Sequence, residues 1–142
     1  MDNYDRLWYV LQDSNRGQIT FQNGKLFFGK TDFEFSNTNA FYNSKLSVFV
    51  DLETGEFVEQ TGITFPESYF NNCWGDYTTS ILRDYNLNDN QFIYSFPTSH
   101  KLFIFDPFKD KITNEVYAKS NFLDNKIEAM NCKYYDDYIK ER

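Results

Sequence analysis

Residues 91–120 read QFIYSFPTSHKLFIFDPFKDKITNEVYAKS, and they spell three strands with the two turns between them. Phe92, Tyr94 and Phe96 alternate with Ile93 and Ser95, a period of two built from residues that suit a pleated surface. Pro97 ends that strand because it has no N–H to give to a ladder, and Thr98-Ser99-His100 form the turn. In the next strand Leu102 and Ile104 point to one side and Phe103 and Phe105 to the other, so both faces call for cover. Asp106-Pro107 opens the following reversal, and residues 112–119 form a more polar strand with Val116, Tyr117 and Ala118 as its apolar centre.

Working outward, residues 25–60 repeat the plan. Residues 18–21 and 25–29 are two strands joined at Asn23-Gly24, the strongest short hairpin signal in the chain. Residues 45–51 (KLSVFVD) form a second two-faced strand, Glu53-Thr54-Gly55 turns it, and residues 56–60 return as a mixed outer strand. Residues 7–11 (LWYVL) read as a short strand before the turn at 13–17. Residues 31–44 read as an extended excursion or loop, 66–79 as a loop, 80–85 as a strand and 86–90 as a polar turn. Residues 126–142, ending YYDDYIKER, read as a short amphipathic helix or an unfinished connection.

Lys45-Leu46 and Lys101-Leu102 open matching strands 56 residues apart. Four strands per unit, the middle ones apolar on both faces and the last more polar, is the pattern of a propeller blade stacked between neighbours. The expected fold is therefore all-β: antiparallel four-stranded blade repeats in a partial β-propeller. Residues 7–17 would end one blade, 18–65 and 79–120 would form two, and 126–142 would lead to the next. Such an open run leaves a flat apolar face at each end, which favours self-association.

Composition bounds the function. In 142 residues, 41% are hydrophobic and 20% aromatic, enough for a sizeable core and too apolar for a disordered chain. Sixteen Phe and eleven Tyr beside three Pro and six Gly favour extended, aromatic-packed structure. A net charge of −7 offers phosphates no basic stripe and argues against a nucleic-acid partner. No stretch reaches the length of a membrane-spanning helix, and Met1-Asp2-Asn3-Tyr4-Asp5 lacks the basic start and apolar run of a signal peptide. Cys73 and Cys132, 59 residues apart, form no CxxC; they pair only if the fold joins them and otherwise serve as small packing groups.

Few constellations carry chemistry. Asp84-x-Asn86-x-Asn88 begins like a calcium loop, but Asp89 stands where glycine is needed and Ser95 where glutamate is needed, so a polar turn is expected. His100 is the one histidine, which excludes multi-histidine metal sites and leaves an exposed turn residue or a lone acid–base group. No phosphate loop or nucleophile elbow occurs, so neither cofactor nor metal is expected. The loop Asn72-Cys73-Trp74-Gly75-Asp76-Tyr77 is the candidate binding site. Trp74 and Tyr77, with Asp76, Arg83 and His100, offer rings to stack on and groups to hydrogen-bond a carbohydrate or peptide; alternatively Trp74 caps the space between blades.

Residues 94–106 (YSFPTSHKLFIFD) followed by 117–120 (YAKS) resemble an uncharacterised group of exported propeller-like proteins, often lipoproteins, from Bacteroides and relatives. The resemblance extends loosely over most of the chain, including Trp74-Gly75-Asp76-Tyr77. It implies part of a six-bladed propeller at the periplasm or cell surface with no assigned activity; this sequence differs in being shorter and in showing no lipoprotein signal.

Three functions follow as expectations. The first is a non-enzymatic binding or scaffold module of an exported propeller. A stand-alone antiparallel barrel holding an apolar ligand is the second, although residues 101–106 lack the apolar-in, polar-out alternation of barrel strands. A carboxylate-dependent hydrolase acting on glycans is the third, with Asp76 and Asp84 as its pair.

Overall fold

The structure is a computed structural model and describes residues 19–29, 44–74, 81–118 and 128–129. Its eight described strands form two antiparallel four-stranded sheets in simple meander order. The first holds β1 (Thr20–Gln22), β2 (Lys25–Gly29), β3 (Ser47–Asp51) and β4 (Phe57–Gln60). The second holds β5 (Leu82–Asn86), β6 (Gln91–Ser95), β7 (Lys101–Asp106) and β8 (Lys111–Tyr117). The expectations for residues 7–17, for the excursion after residue 30, for Asp76 and Tyr77, and for residues 130–142 lie outside the described residues.

Local chemistry sets the turns. Asn23 and Gly24 both have positive φ, 49° and 75°, the pair that a two-residue hairpin with the right twist demands. Asp51 and Asp106 end the third strand of each sheet with the same device. Asp51 Oδ1 accepts the N–H groups of Glu53 and Thr54, and Asp106 Oδ1 those of Phe108 and Lys109. Four residues beyond each aspartate the backbone turns left-handed, at Gly55 and at Asp110. The repeat is thus 55 residues at these turns and 56 at the Lys-Leu pairs, because KLSVFVD (45–51) has one residue more than KLFIFD (101–106).

Cross-strand register sorts side chains into rows. Phe27 and Phe49 share a row on what we call the front of the first sheet, with Gly29, Ser47 and Gln60 farther along it. Tyr85, Phe92, Phe105 and Ile112 form a row on the back of the second sheet, next to a row of Arg83, Tyr94, Phe103 and Glu115. The front of the first sheet packs on the back of the second. Phe27 meets Phe92 edge-on with centroids 5.7 Å apart, and it also meets Phe108 at 5.6 Å. Phe27, Phe92 and Phe105 are fully buried, as are Tyr94 and Phe96. Burial of each such ring is worth about 1.5–3 kcal/mol, so this seam is the main apolar contribution to the described fold.

Polar ties lock the seam. Ser47 Oγ lies 2.7 Å from Gln60 Oε1, and Gln60 Nε2 donates to the carbonyl of Pro107 at 2.6 Å. Gln22 Nε2 donates to Asn90 Oδ1 at 2.9 Å. Each buried amide thereby meets a partner, as burial requires.

The two-faced strands behave differently on their two sides. Phe103 is only 8% exposed and Phe105 not at all, whereas Leu102 and Ile104, on the front of the second sheet, are half-buried. Among the described residues β7 is therefore packed by another sheet on its back alone. β8 is the watery outer strand, with Val116 and Tyr117 exposed. Pairing starts two residues later than residues 45 and 80: Leu46 is buried in the core with its N–H near the Ile63 carbonyl, and Ile81 is also a core residue. Cys73 is disulfide-bonded; the chain's other cysteine is Cys132.

Candidate functional site

The loop after β4 builds one end of the second sheet. Pro66, extended at φ −61° and ψ 156°, leads into a 3-10 turn at Glu67–Tyr69. The Tyr69 N–H donates to the Pro66 carbonyl at 2.9 Å, and this drives the Tyr69 ring inward. There it is fully buried against Phe65 (4.8 Å), Trp74 (5.6 Å) and Phe96 (6.1 Å). Burial pushes the Tyr69 phenol above its ordinary range, only partly offset by hydrogen bonding to Thr98. Asn71 takes a left-handed φ of 57°, and Asn72 Nδ2 donates to the carbonyls of Ser68 and Phe70, closing the loop on itself.

That loop rests on the β6–β7 turn. Ser68 Oγ and Thr98 Oγ1 are 3.0 Å apart, the Ser99 N–H donates to the Phe96 carbonyl, and Lys101 N–H donates to Ser99 Oγ. His100 follows, half-exposed, with its carbonyl accepting the Ala118 N–H at 2.8 Å. Its ring stands edge-on to Tyr117 at 6.1 Å, and Tyr117 is 65% exposed. Lys101 pairs with Glu115, which raises the pKa of the ammonium; Glu67 adds to that field.

The five expected site residues do not converge. Trp74 is 5% exposed, its ring tilted at 51° against Tyr69, and among the described residues its buried Nε1 has no hydrogen-bond partner. Arg83 is buried with its guanidinium carbon 4.5 Å above the centre of the Phe92 ring, in a cation–π contact. Gly29 lies next to the guanidinium: a Cβ added there would stand 3.6 Å from Arg83 Cζ, an ordinary packing contact. Trp74 and Arg83 thus border one core, His100 sits apart on the rim, and Asp76 and Tyr77 lie outside the described residues. Tyr117, Glu115 and Lys101, which join His100 on the rim, carry no local signature; only the pairing of Lys101 with Tyr117 across β7 and β8 brings them together.

The remaining expectations resolve as turn chemistry. Asn86 Oδ1 accepts the Asn88 N–H, and Asn86 Nδ2 donates to Asp89, a self-satisfied reversal. Among the described residues no group of three His, Cys, Asp or Glu could hold a metal ion, and no helix is long and apolar enough to cross a membrane. Asp84 is exposed, with its carboxylate on the neighbouring Tyr85 N–H.

The chain is thus an all-β protein of repeated four-stranded antiparallel sheets. It is similar in fold to the crystal structure of a member of the DUF4221 family from Bacteroides vulgatus, with a TM-score of 0.63 at 19% identity. The match covers 87% of this chain and 34% of that one, so the chain spans about a third of the length of the solved structure. No protein-family model matches the sequence, and no curated protein matches it.

Proposed function

We propose that this chain is a non-enzymatic binding or scaffold module of an exported propeller-type protein, and that it meets a carbohydrate or protein ligand on the rim formed by His100, Tyr117 and the Lys101–Glu115 pair. The observation that carries the architecture is the packing of two like sheets through opposite faces, the relation that adjacent propeller blades require. Two features support export to the periplasm or cell surface. The disulfide at Cys73 is a bond that persists in oxidising compartments, and the fold is similar to that of a DUF4221 family member from Bacteroides vulgatus, the genus group in which the resembling exported proteins are expected.

Tyr117 supports the choice of the rim. An exposed aromatic ring beside a histidine and a charged pair supplies stacking and directional hydrogen bonds together, whereas Trp74 and Arg83 are engaged in the core. No described feature favours the hydrolase, and the eight described strands form two separate sheets instead of one cylinder. The test is a glycan array and a peptide array probed with the wild type, Tyr117→Ala and His100→Ala. Saturable binding lost in both variants supports the rim; binding that survives both, or no binding by the wild type, removes it.

A further inference from the structure

Among the described strands β8 is the longest and the most open to solvent. Every residue of Lys111–Tyr117 except Ile112 is exposed, Val116 at 42% and Tyr117 at 65%, and the strand stands at the end of its sheet. The other end strands differ: β1 has only three residues, β4 ends on Gln60 buried in the seam, and β5 carries the buried Arg83.

Register decides which backbone groups of β8 face outward. The Ala118 N–H donates to the His100 carbonyl at 2.8 Å, and Tyr117, Val116 and Glu115 then pair in turn with Lys101, Leu102 and Phe103. In an antiparallel ladder successive residues alternate between bonding the neighbouring strand and turning away from it. Ala118 and Val116 therefore bond β7, and the N–H and C=O groups of Glu115 and Tyr117 point to the outer edge. A local bond agrees with this, since the Glu115 N–H donates to Asn114 Oδ1 and not to β7. Nearer the start of β8 the register shift at Ile104 and Phe105 leaves Thr113 without a partner, a bulge of the kind that keeps an edge from pairing. From Asn114 to Tyr117 the register is unbroken, and this regular stretch holds the Glu115 and Tyr117 of the rim.

From this we infer that the partner met at the rim is an extended peptide segment of another protein, which joins β8 as a fifth strand by hydrogen bonding to the backbone of Glu115 and Tyr117. The inference rests on the rim reading and narrows it to one class of partner. A carbohydrate lacks the alternating N–H and C=O groups of an extended chain, so an edge of this kind selects a polypeptide. Side chains then set its sequence. The residue opposite Val116 falls on the front, where it extends the row Leu82, Ser95, Leu102 and Val116, and should be apolar. The residue opposite Tyr117 falls on the back beside the Tyr117 and His100 rings and should be aromatic.

Selection from a displayed library of short random peptides, followed by amide hydrogen exchange of the wild type with a selected peptide, tests it. The selected peptides should place an apolar residue next to an aromatic one. They should slow exchange at Glu115 and Tyr117 and leave Val116, already bonded to β7, unchanged. Tyr117→Pro removes an outward N–H while sparing the ladder to β7, so it should weaken binding by about tenfold or more beyond Tyr117→Ala. If Tyr117→Pro does not fold, methylating the peptide nitrogens that face β8 should do the same, and methylating those that face away should not. A library that yields no binder overturns the inference, as does a bound peptide that leaves the two amides unprotected or tolerates methylation at every nitrogen. Protection of both amides in the protein alone, rising with its concentration, overturns it too, by making the occupant a second copy. The rim reading fails separately: a peptide that protects both amides yet binds His100→Ala and Tyr117→Ala as tightly as the wild type supports the added strand and removes the rim. Glycan binding lost in both variants, with no peptide bound, keeps the rim and removes the strand.

Discussion

Asp110 reaches across the seam to Gly62, accepting its N–H on Oδ1 at 2.8 Å while Oδ2 takes the N–H and hydroxyl of Thr61. The approach is so close that a Cβ on Gly62 would lie 2.0 Å from the Asp110 carbonyl oxygen and 2.7 Å from the Lys111 nitrogen. Those are backbone atoms of a turn already held left-handed at Asp110, so they cannot swing aside as a flexible side chain would. Gly62→Ala should therefore push the two sheets apart and cost about 2–3 kcal/mol, and Asp110→Ala, which orphans three donors, about 1–3 kcal/mol. Urea unfolding measures both. A Gly62→Ala variant of wild-type stability would show that the turn and the strand end are not in this contact.

Phe27 and Phe21 lie on adjacent strands of one sheet yet should respond very differently to truncation. Phe27 is buried between sheets against Phe49, Phe92 and Phe108, so Phe27→Ala should cost about 3–5 kcal/mol. Phe21 stands 61% exposed, and for the dilute monomer Phe21→Ala should stay within about 0.5 kcal/mol. Thermal melts of both variants at low concentration compare them directly. Equal losses would contradict the assignment of front and back faces.

Much of this fold is legible because it is written in local chemistry. Asn23-Gly24 forces a twisted two-residue turn, Pro97 ends β6, and Asp106-Pro107 caps the next reversal, each through its own backbone needs. The alternation of Phe103 and Phe105 with Leu102 and Ile104 likewise predicts a strand with two apolar faces. Which face meets which sheet is not local, because it depends on register between strands far apart in sequence. Arg83 shows the cost: the sequence offers it as a group to bind a ligand, whereas the β5–β6 pairing lays its guanidinium over the Phe92 ring and buries it. The rim fails to show in the sequence for a similar reason. His100 and Tyr117 meet only through the β7–β8 pairing, whose register shifts at a bulge beside Ile104 and Phe105.

Trp74 distinguishes packing from binding by its two parts. Its rings fill the space beneath Tyr69, so Trp74→Ala should cost about 3–5 kcal/mol. Its Nε1 has no partner among the described residues, so Trp74→Phe gives up no described hydrogen bond and should cost far less, about 1 kcal/mol. Chemical denaturation followed by far-UV circular dichroism separates the two variants. If Trp74→Phe keeps stability but loses binding on the arrays described above, the indole N–H is a ligand contact and Trp74 rejoins the site.

The two turn aspartates make stability depend on acid. The hydrogen bond from Lys25, 2.7 Å away, and the N–H groups of Thr54 and Glu53 lower Asp51 from 3.8 to about 2. For Asp106, burial acts upward, but the Lys109 ammonium and the N–H groups of Lys109 and Phe108 outweigh it and the net shift is down. A carboxylate whose folded pKa lies below its unfolded value favours folding above the unfolded value and loses that contribution as pH falls through the folded one. The melting temperature should thus be level with respect to these groups above about pH 5 and fall between pH 4 and about pH 2. Asp51→Asn should start lower at neutral pH, because Lys25 loses its counterion, and should lose part of the acid slope; Asp106→Asn should do the same through Lys109. Thermal melts in a pH series, with the double variant as reference, measure this, and a double variant as acid-sensitive as the wild type would assign the slope to other carboxylates.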